Sequence, residues 1–254
     1  DIYFRVPQKT GTYTATFVLS VDGKTVPGSE ATVTVTVTSD APDHYEPVVL
    51  GDSVVVFETP TYRLASEPRI RVGVWKVDQP YIIFVSAQDD YDIFTGETFQ
   101  GTLPIHTEAT IARKNGQYSL ITSGGVSIKS SEYIRLVPKQ NPHAVFRIVN
   151  YDKKVTWKGP RNFNTYRGAM EYRLTKNGET LYLINDLLFE DYVAGIAENT
   201  DVSPTEYLKA QAVAQRTYAY YVAHGSSKHD ERNFDVVATT GDQLYLGYES
   251  EQIM

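Results

Sequence analysis

Cysteine is absent from the 254 residues, which excludes disulfides, thiol nucleophiles and thiolate-ligated metals. No stretch reaches the roughly 18 apolar residues of a membrane-spanning helix, so no span is expected in this chain. Excess positive charge is also missing. Lys and Arg total 24 against 31 Asp and Glu, a formal net charge of −7, with a sequence pI near 5.3. That argues against a nucleic-acid partner, whose phosphates call for a basic face. It leaves a neutral polymer such as a glycan open. Neither an initiator Met nor a signal peptide opens the sequence. His224 and His229 stand beside Asp230 without an evident third ligand, so neither a metal nor a cofactor is expected.

What is present reads as globular: 41% apolar and 22% charged residues. Tyrosine is abundant, with 19 copies. Its ring fills strands and cores and also offers a face to sugars. The stretch GTYTATFVLSVDGKTVPGSEATVTVTVTSD reads as strand, Asp22-Gly23 turn, short link and strand. Val33, Val35 and Val37 alternate with Thr, the period of a half-buried strand. So few strands do not make an independent sheet, so residues 1–39 are expected to be the end of a β-sandwich that begins before Asp1. SDAPDHYEP follows, and 40–47 reads as a linker. From 48 to about Leu183 the runs DSVVVFE, IRVGVWKV, YIIFVS, QYSLIT, YIRLVP and AVFRIVN are strands, of a barrel or a curled sheet.

The pattern then turns helical. Asp186 is the expected N-cap of a first helix whose inner face is Phe189, Tyr192, Val193 and Ile196, ending near Glu198. There the carbonyl end of the helix disfavours a carboxylate anion, which suits a general acid. Ser203, Pro204 and Glu206 read as the N-cap, N1 and N3 of a capping box. The second helix then runs to about His224, with Gly225 as its stop. Leu208, Ala212, Gln215, Ala219 and Val222 mark one face, with Gln215 as its imperfect member. VVATTGDQLYLGY reads as strand or loop with a turn at Gly241-Asp242. The fold class is α+β: a strand-rich half, then a two-helix segment, with a sandwich remnant ahead of both.

EDYVAGIAE, then LKAQAVAQRTYAYY, then DVVATTGDQLYLGY together resemble the stage II sporulation protein D family, which includes amidase enhancers of bacterial cell-wall autolysis. Leu208 to Tyr218 fit the family's L-K-A-Q-A-x-A-x-R-T-Y without a gap. Counting back to its acidic position lands on Glu198. EPRIRVGVWKV, SGGVSI and FNTYRGAMEYRL also look like the family's strand-rich half. The N-terminal stretch more weakly resembles the end of Ig-like domains on bacterial surface proteins.

The resemblance implies an exported, wall-associated lytic transglycosylase acting on peptidoglycan glycan strands, with Glu198 as its sole catalytic carboxylate. It also implies substrate-binding or acid-orienting roles for Lys209, Gln211, Arg216, Thr240 and Gln243, with Tyr245 a packing residue. Asp201 and Asp242 are the candidates for a second carboxylate. The alternative is a non-catalytic wall-binding module that enhances an amidase. A third reading is a structural surface protein. Three departures stand out. Asn199-Thr200 replaces the family's Met-Pro. Gly241-Asp242 stands where sporulation members often carry His-Cys for zinc, so that metal is not expected. The resemblance also implies a domain over 48–254 that continues past Met254.

Overall fold

The computed structural model describes residues 9–18, 20–21, 24–39, 66–199 and 203–251. The 40–47 linker, the DSVVVFE run, the Asp22-Gly23 turn, Thr200 and Asp201 lie outside them. The chain divides into two compact units, Asp1–Arg63 and Leu64–Met254.

In the first unit the strands are β1 (Gly11–Phe17), β2 (Ser20–Val21), β3 (Lys24–Thr25) and β4 (Ala31–Val37). β1 and β4 pair antiparallel from Gly11 with Val37 to Phe17 with Ala31. Directly opposed threonines hydrogen-bond across the pair: Thr12 with Thr36, Thr14 with Thr34 and Thr16 with Thr32. Period-2 alternation sends alternate residues to opposite faces, so every Thr of this register meets another Thr. Val35 and Val37 are half-buried and Val33 is exposed.

The second unit begins with β5 (Arg69–Lys76), β6 (Tyr81–Ser86), β7 (Tyr91–Thr95) and β8 (Thr98–Leu103). Next come β9 (Ala109–Lys114), β10 (Gln117–Thr122), β11 (Ser127–Ser130), β12 (Ile134–Pro138) and β13 (Val145–Ile148). β14 (Thr165–Arg167), β15 (Ala169–Leu174) and β16 (Leu181–Leu188) lead to α1 (Phe189–Ala194) and α2 (Thr205–Gly225). β17 (Val236–Val237) and α3 (Tyr248–Glu251) follow. The strands form two open sheets rather than a barrel. One has the order β11-β10-β9-β6-β13-β14, the other β17-β5-β16-β15-β12-β7-β8. Neighbours are antiparallel except β17, which lies parallel to β5. The expected strand runs from IRVGVWKV to AVFRIVN each fall on one of these strands, and the α+β class holds.

Alternation explains why the two sheets stack. On β5, Ile70, Val72 and Val74 point inward and are buried. They join Ile82 and Phe84 of β6, Ile111 of β9, Leu120 of β10 and Leu136 of β12 in one core. On the other face of the seven-stranded sheet, arginines cover two carboxylates. Arg69 Nε donates to Asp186 at 2.8 Å and Arg135 Nη2 to its second oxygen at 3.0 Å. Arg71 and Arg173 donate to Glu171 at 2.5 and 3.3 Å. A carboxylate this far out of water persists only when paired and hydrogen-bonded.

That network corrects the expected start of the first helix. Asp186 is not its N-cap. It is a buried strand residue of β16, and Leu188 is the residue that precedes α1. α1 also ends at Ala194, before Ile196 and Glu198. Ile196 makes a β-bridge to Tyr245 instead. The expected cap position shifts as well, from Ser203 to Pro204. α2 starts at Thr205 with Pro204 as its cap and no side-chain capping bond, and Glu206 accepts from Lys209 at 2.8 Å.

Gly247 closes this region at φ +76°, where a Cβ would sit 2.5 Å from the Thr165 carbonyl oxygen and 2.6 Å from the Tyr166 ring. Gly247→Ala therefore meets backbone strain and a clash together. We expect a loss of about 2–3 kcal/mol, read as a lower urea midpoint at an unchanged m-value.

Candidate functional site

Glu198 lies just past a short antiparallel clasp. Leu246 N–H donates to the Gly195 carbonyl at 3.0 Å, and Ala197 N–H donates to the Leu244 carbonyl at 2.8 Å. Gly195 permits the approach: a Cβ there would fall 2.5 Å from the Tyr245 ring. Glu198 itself is exposed, yet both its oxygens are held. Leu244 N–H donates to Oε1 at 3.3 Å, and Gln215 Nε2 donates to Oε2 at 3.2 Å. α1, whose carbonyl end was expected beside this carboxylate, ends at Ala194, four positions earlier; among the described residues the carboxylate's partners are two neutral N–H groups.

Gln215 is buried on α2 and is held in turn. Its backbone carbonyl accepts from Gln243 Nε2 at 3.3 Å, and Gln243 Oε1 accepts from the Tyr192 hydroxyl at 3.0 Å. Burial first, then the nearby Asp242 and Glu198 charges, pushes the Tyr192 phenol up, so it stays a neutral donor. Burial does the same to Tyr245, whose hydroxyl donates to Asn185 Oδ1 at 2.9 Å. The two rings lie 5.1 Å apart. Tyr245 is thus a packing residue, as expected from the sequence.

The expected binding residues distribute unevenly. Gln243 is buried within the chain of bonds just described and donates to the Gln215 backbone carbonyl. Gln211 lies one helical turn before Gln215, with its Oε1 buried and unpartnered among the described residues. Arg216 forks onto Glu190 at 2.8 and 2.5 Å, and Lys209 pairs with Glu206. Among the described residues, neither cation donates to Glu198. Thr240 is exposed in the turn after β17. Gln215 was not singled out as a site residue from the sequence. Its signal was there: the one polar residue on an otherwise apolar helix face.

Asp242, the other carboxylate considered, is fully enclosed. Its Oδ1 accepts from Lys228 Nζ at 2.5 Å and the Tyr218 hydroxyl at 3.0 Å. Its Oδ2 accepts from His229 Nε2 at 2.6 Å and Val237 N–H at 2.7 Å. Burial pushes this carboxyl up, but Lys228, the Val237 N–H and His229 outweigh it and hold the group below the usual carboxylate range. Four donors occupy it. It anchors the 228–242 loop and has no lone pair left for substrate.

Residues 177–253 match the family model described as Stage II sporulation protein, SpoIID. The recognition made from the LKAQAVAQRTY motif holds for this segment, which contains α1, α2, Glu198 and the 244–246 clasp. The match supports a sporulation- or cell-wall-related protein. The chain is also 45% identical over 73 residues to an uncharacterized protein of Brachyspira hyodysenteriae. That alignment covers 28% of this chain and 19% of the relative, so the chain spans about a fifth of that protein's length. No solved structure matches significantly.

Because the Asp242 carboxyl titrates lower folded than unfolded, its contribution to stability is full above about pH 4, the unfolded range. It is lost as pH falls through the lower folded value. Asp242→Asn should reduce stability at pH 7 by at least about 2 kcal/mol. It should also flatten the acid limb of the stability profile, measured by denaturant unfolding between pH 2 and 7.

Proposed function

We propose that this chain cleaves peptidoglycan glycan strands as a lytic transglycosylase, with Glu198 as the one reacting carboxylate. The observation that carries this reading is the contrast between two acids. Glu198 is solvent-facing and oriented by neutral donors, while Asp242 is buried and saturated. A hydrolase of the ordinary kind needs two carboxylates across the scissile bond. A transglycosylase needs one, because the nucleophile belongs to the substrate.

In this scheme protonated Glu198 gives its proton to the glycosidic oxygen between MurNAc and GlcNAc. The C1–O bond breaks and the GlcNAc end leaves as a hydroxyl. The resulting Glu198 carboxylate then takes the proton of the MurNAc C6 hydroxyl as that oxygen bonds to C1. A 1,6-anhydro ring forms, no water is consumed, and Glu198 ends protonated as it began. Leu244 N–H and Gln215 fix the carboxylate's direction, which general acid–base transfer requires at hydrogen-bond distance. Lys209 and Thr240 are exposed and Arg216 is half-buried; in this reading they meet sugar hydroxyls, the two cations from their pairs with Glu206 and Glu190. The reading places the protein outside the cell membrane, at the wall, with neither metal nor cofactor in the chemistry. It keeps residues 1–39 as an Ig-like sandwich segment ahead of the wall-active domain.

One observation favours the second reading, an enhancer that docks an amidase. Tyr207, Val213 and Tyr221 of α2 are more than half exposed, an apolar display that suits a protein partner.

Glu198→Gln tests the first reading. We expect it to abolish 1,6-anhydro products from peptide-stripped glycan strands, read by mass spectrometry, while leaving the unfolding midpoint within about 0.5 kcal/mol. Unchanged product release would sink the catalytic reading. Wild-type binding of strands without any anhydro ends favours the enhancer. Gln215→Leu tests the brace: product release should fall roughly 10- to 100-fold, chiefly in kcat, because the acid loses its orientation and not the substrate.

A further inference from the structure

We propose that Trp157 is a stacking platform that seats a pyranose ring of the glycan strand beside Glu198, an assignment that rests on the glycan reading above. The chain has two tryptophans, and they are used differently. Trp75 stacks on Tyr151 with ring centroids 4.5 Å apart. Trp157 is 52% exposed, in a 3₁₀ turn, Thr156–Lys158, that contributes nothing to the core. A large apolar ring left in water on an ordered turn is the informative exception to burial.

The hairpin that carries the turn is tied down by hydrogen bonds on both of its sides. Its hairpin is closed by a bridge between Lys154 and Asn162. Asn162 accepts from Lys153 N–H at 2.7 Å and donates to the Tyr151 carbonyl at 2.9 Å. Phe163 N–H donates to the Lys153 carbonyl at 2.8 Å. Lys153 reaches out of the hairpin and donates to the Ala238 carbonyl at 3.1 Å. Inside the hairpin, Val155 packs with Phe163, Ala197, Leu244 and Leu246. Ala197 precedes Glu198 in sequence, and Leu244 supplies one of the two donors to its carboxylate. Trp157 stands two positions beyond Val155 in the same hairpin, with its ring exposed.

The chemistry fits a sugar. An indole ring carries negative charge on its face and positive charge at its edge. The polarised C–H groups of a pyranose face suit that negative face; Lys158 Nζ lies over one side of the Trp157 ring, 5.0 Å from its centroid, so the sugar takes the opposite side. Because the hairpin is already ordered, little conformational freedom is lost on binding. Trp157 acts on where the strand lies and not on proton transfer, so it is a positioning residue.

The test uses the Glu198→Gln protein, so that binding is read without turnover, and soluble peptide-stripped glycan strands as the probe. Strands should change the tryptophan emission, and Trp157→Phe should remove that change while keeping most of the affinity. Trp157→Ala should weaken binding roughly tenfold. In the Glu198-bearing protein, Trp157→Ala should raise KM by a similar factor with kcat within about twofold. The platform is overturned if Trp157→Ala binds strands as its parent does, or if the emission response survives in Trp157→Phe and so belongs to Trp75. It is overturned equally if strands bind none of these proteins. If Trp157→Ala weakens binding while Glu198→Gln leaves product release intact, the platform stands and the catalytic reading alone falls.

Discussion

The arrangement around Glu198 depends on one contact, the antiparallel clasp between 195–197 and 244–246. It brings two stretches far apart in sequence to within backbone hydrogen-bond distance. It is seated on the Tyr192 and Tyr245 rings, and Gly195 is bare enough to let the second ring close over it. Without the clasp, Leu244 N–H would not reach the Glu198 carboxylate. Gln243 would not sit between Tyr192 and Gln215. A single local pairing thus sets both the direction of the acid and the group that steadies it.

Charge is handled in two ways across the second unit. Where a carboxylate is structural, donors surround it. Asp186 and Glu171 lie under arginines on the outer face of the seven-stranded sheet, and Asp242 is filled by Lys228, His229, Tyr218 and a backbone N–H. Such groups are costly to bury and costly to disturb, because removing one partner strands the other. Where a carboxylate is free to react, as we propose for Glu198, its donors among the described residues are neutral and the residue is exposed. The difference in solvation separates the two kinds of acid.

Much of the fold was legible from pattern. Alternation in IRVGVWKV and its companion runs marked the strands, since the inward residues of a sheet must be apolar at period 2. The turn at Gly241-Asp242 and the long α2 were legible for the same kind of reason. The start of α1 was not. Asp186 looks like a helix cap because short acids favour caps, but β16 continues through it, and two arginines from β5 and β12 hold it there. Those partners are more than fifty positions away, beyond any local signal. At α2 the difference is local: Pro204 rather than Ser203 is the cap residue, and Glu206 pairs with Lys209 one turn along the same helix.

The sequence by itself determined the strand-rich α+β class, the exclusion of thiol chemistry, the motif that marks Glu198, and the period that makes α2 a helix. Each of these follows from residue type and local spacing. Only the tertiary structure decided which acid is exposed, that Gln215 rather than Arg216 or Lys209 donates to it, and that Gln243 lies buried between Tyr192 and Gln215. These depend on which distant backbone groups the clasp and the two sheets bring together. A hydrogen bond formed across such a separation leaves no periodicity in the sequence from which it could be read.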